Sequence, residues 1–104
     1  MPDNYHVIFT RRAAADLEGI FKYIAHDSPR NASRVITKLV DAIDSLGQLP
    51  HRYRVIKQHH RIRDGIRMMP VSPYLLYYRV LDPQRAVRII TIRHGARKRP
   101  DVIE

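Results

Sequence analysis

The first half of the chain carries apolar residues at the spacing of two amphipathic helices. The first stripe consists of Ala13, Leu17, Ile20, Phe21 and Ile24. A second stripe, from Ala32 to Leu46, continues at the same period. Thr10 is placed to cap the first helix, and Ser28 followed by Pro29 is a typical start for the second. Because the break between them is short, we predict an antiparallel helical hairpin with two apolar stripes to bury.

The remaining apolar segments have the two-residue period of β-strands. Residues 5–9 form a first short strand, and residues 62–69, 74–81 and 86–93 form three more. The last two are apolar on both faces, which favours the sheet interior, whereas residues 62–69 alternate with arginine and belong nearer an edge. The polar stretch 50–61 is interpreted as a loop or a poorly formed edge. The order β-α-α-β-β-β predicts an α+β fold, with the helical hairpin packed on one face of a mainly antiparallel four-stranded sheet.

A helical hairpin covers one face of such a sheet and leaves the other face uncovered by helices. In the strand 74–81, Leu75, Tyr77, Arg79 and Leu81 are predicted to point away from Tyr74, Leu76, Tyr78 and Val80. The first of these sets is too apolar for a solvated face, and an exposed apolar patch usually marks a partner site. Alternatively, the C-terminal tail with Val102 and Ile103 folds back over it, and the residues leave both possibilities open.

The chain is strongly basic, and the positive charge is concentrated in its second half. With 19 Lys and Arg against 10 Asp and Glu, the formal net charge is +9. Residues 1–52 hold seven basic and six acidic side chains, a balance of +1, whereas residues 53–104 hold twelve and four, a balance of +8. A basic surface of this size attracts polyanions, either nucleic acid or an acidic protein segment.

Length and composition exclude several classes of protein. A chain of 104 residues suffices for one domain, which we expect to cover residues 1–104. The absence of Cys excludes disulfide scaffolds and thiolate chemistry. No apolar run approaches the ~20 residues of a membrane span, and the opening residues 1–4 lack the features of a signal peptide. We therefore expect a cytoplasmic protein without membrane association.

Residues suited to catalysis are sparse. His59 and His60 are adjacent, which on a strand turns them to opposite faces, so we expect no metal site. The four Gly residues are scattered, which leaves no phosphate-binding loop, and no cofactor is expected. Metal-independent RNA cleavage would need a proton carrier beside cations, and His94 and Tyr77 are the candidates near the basic region. The residues by themselves leave catalysis and binding both open.

Three segments of the chain, in the same order, carry a family resemblance. They are residues 93–97 (Arg-His-Gly-Ala-Arg), residues 67–80, and the first-helix residues Ala13, Asp16, Leu17, Ile20, Tyr23, Ile24 and Ala25. Together they resemble the RelE/ParE superfamily, the toxins of bacterial type II toxin-antitoxin modules, once called plasmid stabilisation proteins. The resemblance extends from residue 5 to about residue 100. It implies two helices on an antiparallel sheet, which is the architecture predicted above from periodicity.

The superfamily has two branches with different targets. RelE-like members cut messenger RNA on the ribosome, whereas ParE-like members block DNA gyrase and are not known to cleave RNA. Of the groups that the resemblance implies for the nuclease, Arg67 and Arg97 are present. Met69 stands in place of a Lys, Leu75 in place of an Arg and Ile103 in place of a Tyr. The resemblance therefore implies a ParE-like toxin that inhibits growth by binding DNA gyrase, with no catalytic residue.

Two alternatives stay open. The first is a RelE-like, ribosome-dependent mRNA endonuclease with a rearranged site of Arg67, His94 and Arg97. The second is a degenerate, non-toxic family member. One local departure from the ParE pattern is Tyr53, since the helix exit there often has Gly in the order Pro, two residues, Gly, Arg.

The resemblance also implies a partner, the cognate antitoxin, whose acidic and disordered arm folds on the toxin. Positive charge and the apolar stripe in residues 74–81 suit such an arm, because charge speeds the encounter and apolar burial holds the complex. The predicted antitoxin-binding groove consists of Arg67, Leu75, Tyr77, Arg79, Leu81, Arg93 and Arg97.

Overall fold

Two helices lie on one side of a five-stranded sheet. The computed structural model of the chain describes residues 4–59 and 62–96. Its elements are, in order, β1 (His6–Phe9), α1 (Arg11–Ala25), α2 (Pro29–Asp44), β2 (Val55–His59), β3 (Ile62–Val71), β4 (Tyr74–Leu81) and β5 (Ala86–His94). None of the helices in the described part is both long enough and apolar enough to cross a membrane.

The strands follow one another across the sheet in the order β1-β5-β4-β3-β2. β1 runs parallel to β5, and the other three pairings are antiparallel. The predicted α+β fold is confirmed, and the two doubly apolar segments, β4 and β5, lie inside the sheet. The strand count differs from the predicted four, because β2 forms within the stretch 50–61. β2 is an edge strand with two register shifts against β3, and a polar edge strand gives little periodic signal in the sequence.

Both helices begin at the predicted caps. The Thr10 hydroxyl accepts a hydrogen bond from the Ala13 N–H at 3.1 Å, and the Ser28 hydroxyl accepts one from the Asn31 N–H at 3.1 Å. Pro29 occupies the first turn of α2. Each cap stabilises its helix by about 1 kcal/mol, because it satisfies an amide that has no partner within the helix.

The main core lies between the hairpin and one face of the sheet. The helix residues Ala13, Leu39 and Ile43 pack there with Tyr78 and Ile89 of the central strands. All five are at most 1% exposed. Full burial of a large apolar side chain contributes about 1.5–3 kcal/mol. This cluster therefore fixes the hairpin on the sheet and decides which face is left uncovered by helices.

Asp16 fastens α1 to the end of β5. β1 ends at Phe9, where the chain turns into α1, so β5 continues past its parallel partner. The Asp16 carboxylate accepts hydrogen bonds there from the Thr91 hydroxyl at 2.6 Å and from the Ile92 N–H at 3.0 Å. A helix side chain thus takes the place of a neighbouring strand and satisfies the hydroxyl of Thr91, which is fully buried.

The connection between α2 and β2 is held against β4. Leu49 adopts the left-handed conformation, with φ at 50°. Tyr53 is extended, with φ at −101° and ψ at 137°, so the Gly that the ParE pattern often has here is not required. The buried Tyr78 hydroxyl donates a hydrogen bond to the Pro50 carbonyl at 2.8 Å. Its burial raises the pKa of Tyr78 to about 12, so the phenol stays neutral and keeps donating.

Candidate partner-binding face

The face of the sheet away from the helices carries apolar and basic residues, and it is called the outer face below. The two sets of β4 residues that the two-residue period separates do lie on opposite faces. The outer-face set of β4 is Leu75, Tyr77, Arg79 and Leu81. Four of the seven predicted groove residues are therefore neighbours on one strand face.

A small second core occupies the middle of the outer face. Ile66, Tyr77 and Ile90 come from three neighbouring strands, and Met68 and Leu75 pack against them. Tyr77 is 1% exposed, so a partner on this face would contact the residues around Tyr77 and not its ring. The sequence places Tyr77 on the correct face but does not reveal that its neighbours cover it.

Arginines surround this second core. Arg79 of β4 lies directly opposite Arg88 of β5, and Arg93 of β5 lies opposite Leu75. The Nε atoms of Arg79 and Arg93 are buried although both residues are partly exposed, as is typical of arginines whose aliphatic stems lie along a surface. Like charges on directly opposite residues raise the local positive potential, and such a surface attracts carboxylates.

Arg67 does not lie with the other predicted groove residues. It pairs with Tyr78 across β3 and β4 and therefore faces the helix side of the sheet. Its Nη1 donates hydrogen bonds to the carbonyls of Tyr53 at 2.6 Å and His51 at 3.4 Å. Placing Arg67 in the outer-face groove was thus wrong. The alternation of β3 turns Ile66 and Met68 outward and Arg67 inward, under the connection that precedes β2.

His94 also lies on the helix side, opposite Tyr74, whose ring meets the imidazole edge-on at 5.5 Å between centroids. Its Nδ1 accepts a hydrogen bond from the Ala96 N–H at 3.1 Å. Arg67 and His94 pair with β4 residues four positions apart and lie on either side of that strand. Strand geometry then separates their Cα atoms by roughly 16 Å, and the Arg67 guanidinium is held by the carbonyls of Tyr53 and His51, so the structure does not bring these two side chains together.

Some predicted residues lie outside the described part of the chain, namely Arg97, His60, Val102 and Ile103. Within residues 4–59 and 62–96, no group of three or more His, Asp or Glu side chains is arranged to hold a metal ion.

A polar cluster that the sequence did not reveal lies at one end of the sheet. Asp82, in the turn after β4, accepts a hydrogen bond from the Tyr5 hydroxyl at 2.7 Å and lies 3.1 Å from His51 Nε2. The Tyr5 hydrogen bond is the main cause that lowers the pKa of Asp82, and His51 adds to it. The Arg85 guanidinium lies over the Tyr5 ring, 4.7 Å from its centroid. These contacts join the start of β1 to two turns that are distant in sequence.

Comparison with known proteins gives matches in sequence and in structure. Residues 7–99 match the family described as ParE toxin of type II toxin-antitoxin system, parDE. The chain is 40% identical over 91 residues to Toxin RelE2 of Caulobacter vibrioides, which covers 88% of this chain and 96% of that toxin.

Two solved structures share the fold. The chromosomal ParDE toxin-antitoxin system of P. aeruginosa gives a TM-score of 0.69 at 22% identity, over 88% of this chain and 97% of that one. The RelBE2 toxin-antitoxin complex of Mycobacterium tuberculosis gives a TM-score of 0.64 at 25% identity, over 90% of this chain and 94% of that one. The similarity to the P. aeruginosa structure shows a common fold and nothing further. In both solved structures the helices and the sheet are arranged as in this chain.

Proposed function

This chain belongs to the ParE/RelE family of toxins of type II toxin-antitoxin systems, and we propose that it inhibits growth by binding DNA gyrase until a cognate antitoxin neutralises it. The proposal assigns a binding role and no catalytic residue. It rests on the arrangement of the positions where a nuclease of this family would carry its charged groups.

The observation that carries the proposal is that the three of these positions within the described part of the chain serve the fold. Met69 is 3% exposed in the main core, where the charge of a Lys could not be solvated. Leu75 packs against the second core, and the Arg67 guanidinium is bound to backbone carbonyls. Each electrostatic donor lost from an active site costs about 3–4 kcal/mol of transition-state stabilisation. The described residues therefore favour inhibition by binding over cleavage of RNA.

The target is tested by inducing the chain in cells without its antitoxin. The proposal expects DNA cleavage complexes that contain gyrase, altered plasmid supercoiling and intact messenger RNA. Cuts in messenger RNA at defined positions within codons, with unaffected supercoiling, would instead support the ribosome-dependent endonuclease. Normal growth with confirmed accumulation of the folded protein would support the non-toxic alternative. Either of these last two results would overturn the assignment of gyrase as the target.

The antitoxin is proposed to bind the outer face through an acidic arm. Arg79, Arg88 and Arg93 supply positive charge there, and Leu75 and Leu81, both half-buried, supply apolar contacts beside it. Charge of this kind accelerates association with an acidic segment, while burial of the leucines slows dissociation. The two solved neighbours named above are themselves toxin-antitoxin structures, which supports a partner of this class for the present chain.

Charge reversal on the outer face tests the antitoxin site. The double variant Arg79→Glu/Arg93→Glu is compared with Arg30→Glu/Arg34→Glu, which makes the same change in charge at exposed positions of α2 on the other side of the molecule. Titration calorimetry with the purified antitoxin should show at least about a tenfold weaker complex for the first variant and little change for the second. If both variants bind the antitoxin with equal affinity, the outer face is ruled out as the binding surface.

A further inference from the structure

An open groove with a volume of about 370 Å³ lies beside β1, at the edge of the sheet. Its apolar lining residues are Ile8, Phe9 and Ile90. Ile8 lies opposite Arg88 on the outer face, whereas Phe9 lies opposite Ile89 of the main core. The basic part of the groove is formed by Arg11, Arg12 and Arg88, and none of the residues that line it is acidic. The groove therefore combines three positive charges with an apolar surface, in a volume that admits a few side chains of a partner.

Two apolar side chains of the groove are open to solvent. Ile8 is 46% exposed and Phe9 is 36% exposed, although both belong to a strand. In the described part of the chain β1 has a strand neighbour on one side alone. An exposed apolar edge strand is a hazard for aggregation, and proteins usually protect it with charge or cover it. The arginines beside Ile8 and Phe9 provide the charge, and a partner segment would provide the cover.

The backbone at the end of β1 is also available to an extended peptide, whereas just before β1 the Tyr5 N–H already donates to the Gly47 carbonyl. The His6 N–H donates to the carbonyl of Arg85, just before β5, and the Thr10 N–H donates to the carbonyl of Ile89 in β5. In a parallel ladder these groups alternate along the strand, so the amide and carbonyl groups of Phe9 are turned away from β5. A peptide that adds to such an edge gains main-chain hydrogen bonds, and its alternate side chains enter the adjacent groove.

The chemistry of the groove favours an acidic peptide over nucleic acid. Its apolar part is mostly aliphatic, with Phe9 as the single aromatic side chain among the lining residues. Single-stranded nucleic acids are usually held by several aromatic rings on which bases stack. Carboxylates flanking one apolar side chain would match the three arginines and the Ile8 surface at the same time.

The groove is continuous with the outer face. Arg88 and Ile90 line the groove, and the same two residues belong to the outer face, Ile90 through its contact with Tyr77 in the second core. The strands β4, β5 and β1 are consecutive neighbours in the sheet. Two strand spacings amount to about 10 Å, which three residues of an extended chain can span.

We propose that the acidic arm of the antitoxin, after crossing the outer face, places an extended segment with one apolar anchor residue in this groove, alongside β1. The inference rests on the proposed function, since its partner is the antitoxin. It adds a second contact site at which Arg11, Arg12 and Ile8 contribute to affinity.

The experiment compares three charge-reversal variants of the full chain in calorimetric titration with the intact antitoxin. They are Arg11→Glu/Arg12→Glu in the groove, Arg79→Glu/Arg93→Glu on the outer face, and Arg30→Glu/Arg34→Glu on α2 as the matched control. Arg11 and Arg12 occupy the first turn of α1, where an acidic side chain is favourable to the helix. The groove variant is therefore expected to fold, which thermal unfolding followed by circular dichroism verifies.

A groove variant that binds the antitoxin at least about tenfold more weakly, beside an unchanged control, supports the inference. If only the outer-face variant loses affinity, the groove inference is overturned and the proposed antitoxin site stands. If neither loses affinity, both are overturned.

A photoreactive benzophenone side chain in place of Ile8, which lies opposite Arg88 and is 46% exposed, identifies the occupant independently. A cross-link to the acidic segment of the antitoxin supports the inference. A cross-link to a second copy of this chain, or none in the assembled complex, contradicts it. The same group in place of Tyr23, an exposed residue of α1 outside the groove, serves as the control position.

Discussion

Removing the Asp16 carboxylate should loosen the attachment of α1 to β5. In the variant Asp16→Ala, the Thr91 hydroxyl and the Ile92 N–H lose an acceptor that lies 2.6 Å and 3.0 Å away. A hydrogen bond to a charged group contributes about 1.5–3 kcal/mol, and a buried donor without a partner retains its full desolvation cost. Thr91 is fully buried, whereas water can reach part of the half-buried Asp16 site.

Losing two such bonds should lower the free energy of unfolding by about 3–4 kcal/mol, and the higher helix propensity of Ala should offset about 0.5 kcal/mol of this loss. We therefore expect Asp16→Ala to lower the free energy of unfolding by about 3 kcal/mol. For a chain of this size that corresponds to a fall in Tm of roughly 15 °C. Asp16→Asn, which keeps one oxygen acceptor without the charge, should lose about half as much free energy.

Urea unfolding followed by circular dichroism measures this difference, with the midpoint falling while the m-value stays constant. Glu18→Ala is the matched control on the same helix, because the Glu18–Lys22 ion pair at 3.3 Å is highly exposed. Its loss should cost no more than about 0.5 kcal/mol. A cost below about 1 kcal/mol for Asp16→Ala, at unchanged m-value, would refute the view that this carboxylate replaces a strand neighbour of β5.

Three further predictions concern single side chains. Gly19→Ala should stabilise the fold by about 0.5–1 kcal/mol in urea unfolding, because a methyl group there meets no atom within 4 Å and Gly disfavours helix; a destabilised variant would contradict this. Tyr5→Phe should raise the pKa of Asp82 in an NMR titration, because the Tyr5 hydroxyl is the main cause that lowers it. A lowered carboxyl pKa stabilises the fold above the unfolded value of 3.8. The difference in unfolding free energy between wild type and Tyr5→Phe should therefore shrink as the pH falls through the folded pKa of Asp82. A difference that stays constant with pH would contradict this role of Tyr5. With the pKa of Tyr78 raised from 10.0 to about 12, its stabilisation is fully present below pH 10 and is lost between these values. Tyr78→Phe should abolish that alkaline loss and cost about 1 kcal/mol at neutral pH, since the Pro50 carbonyl loses its donor; an unchanged alkaline profile would refute the assignment.

Most of the secondary structure could be predicted because it depends on residues that are close in sequence. Thr10 and Ser28 cap helices three residues ahead of the amides that they satisfy. The period of β4 separates its two faces correctly. The stretch 50–61 predicts only a loop or a poorly formed edge, because the polar residues of β2 lie at a sheet edge, where burial imposes no pattern.

The candidate site could be predicted only in part. The sequence grouped Arg79, Leu81 and Leu75 on one strand face, and they lie there. The predicted groove also included Arg67, but the register of β3 turns Arg67 to the helix side. The groove beside β1 could not be predicted from the sequence, because Ile8 and Arg88 become neighbours only through the parallel pairing of β1 with β5.

Sequence alone predicts the helices, the interior strands, their two-sided pattern and the concentration of positive charge in the second half. These features follow from the spacing of side chains along the chain, which fixes the face of a helix or strand that each one occupies. The three-dimensional arrangement establishes which strands are neighbours, which face the helices cover, and that Asp16 contacts Thr91 and Tyr5 contacts Asp82. Those pairs are 75 and 77 residues apart. Their contact depends on the order and register of the strands in the sheet, which local periodicity does not specify.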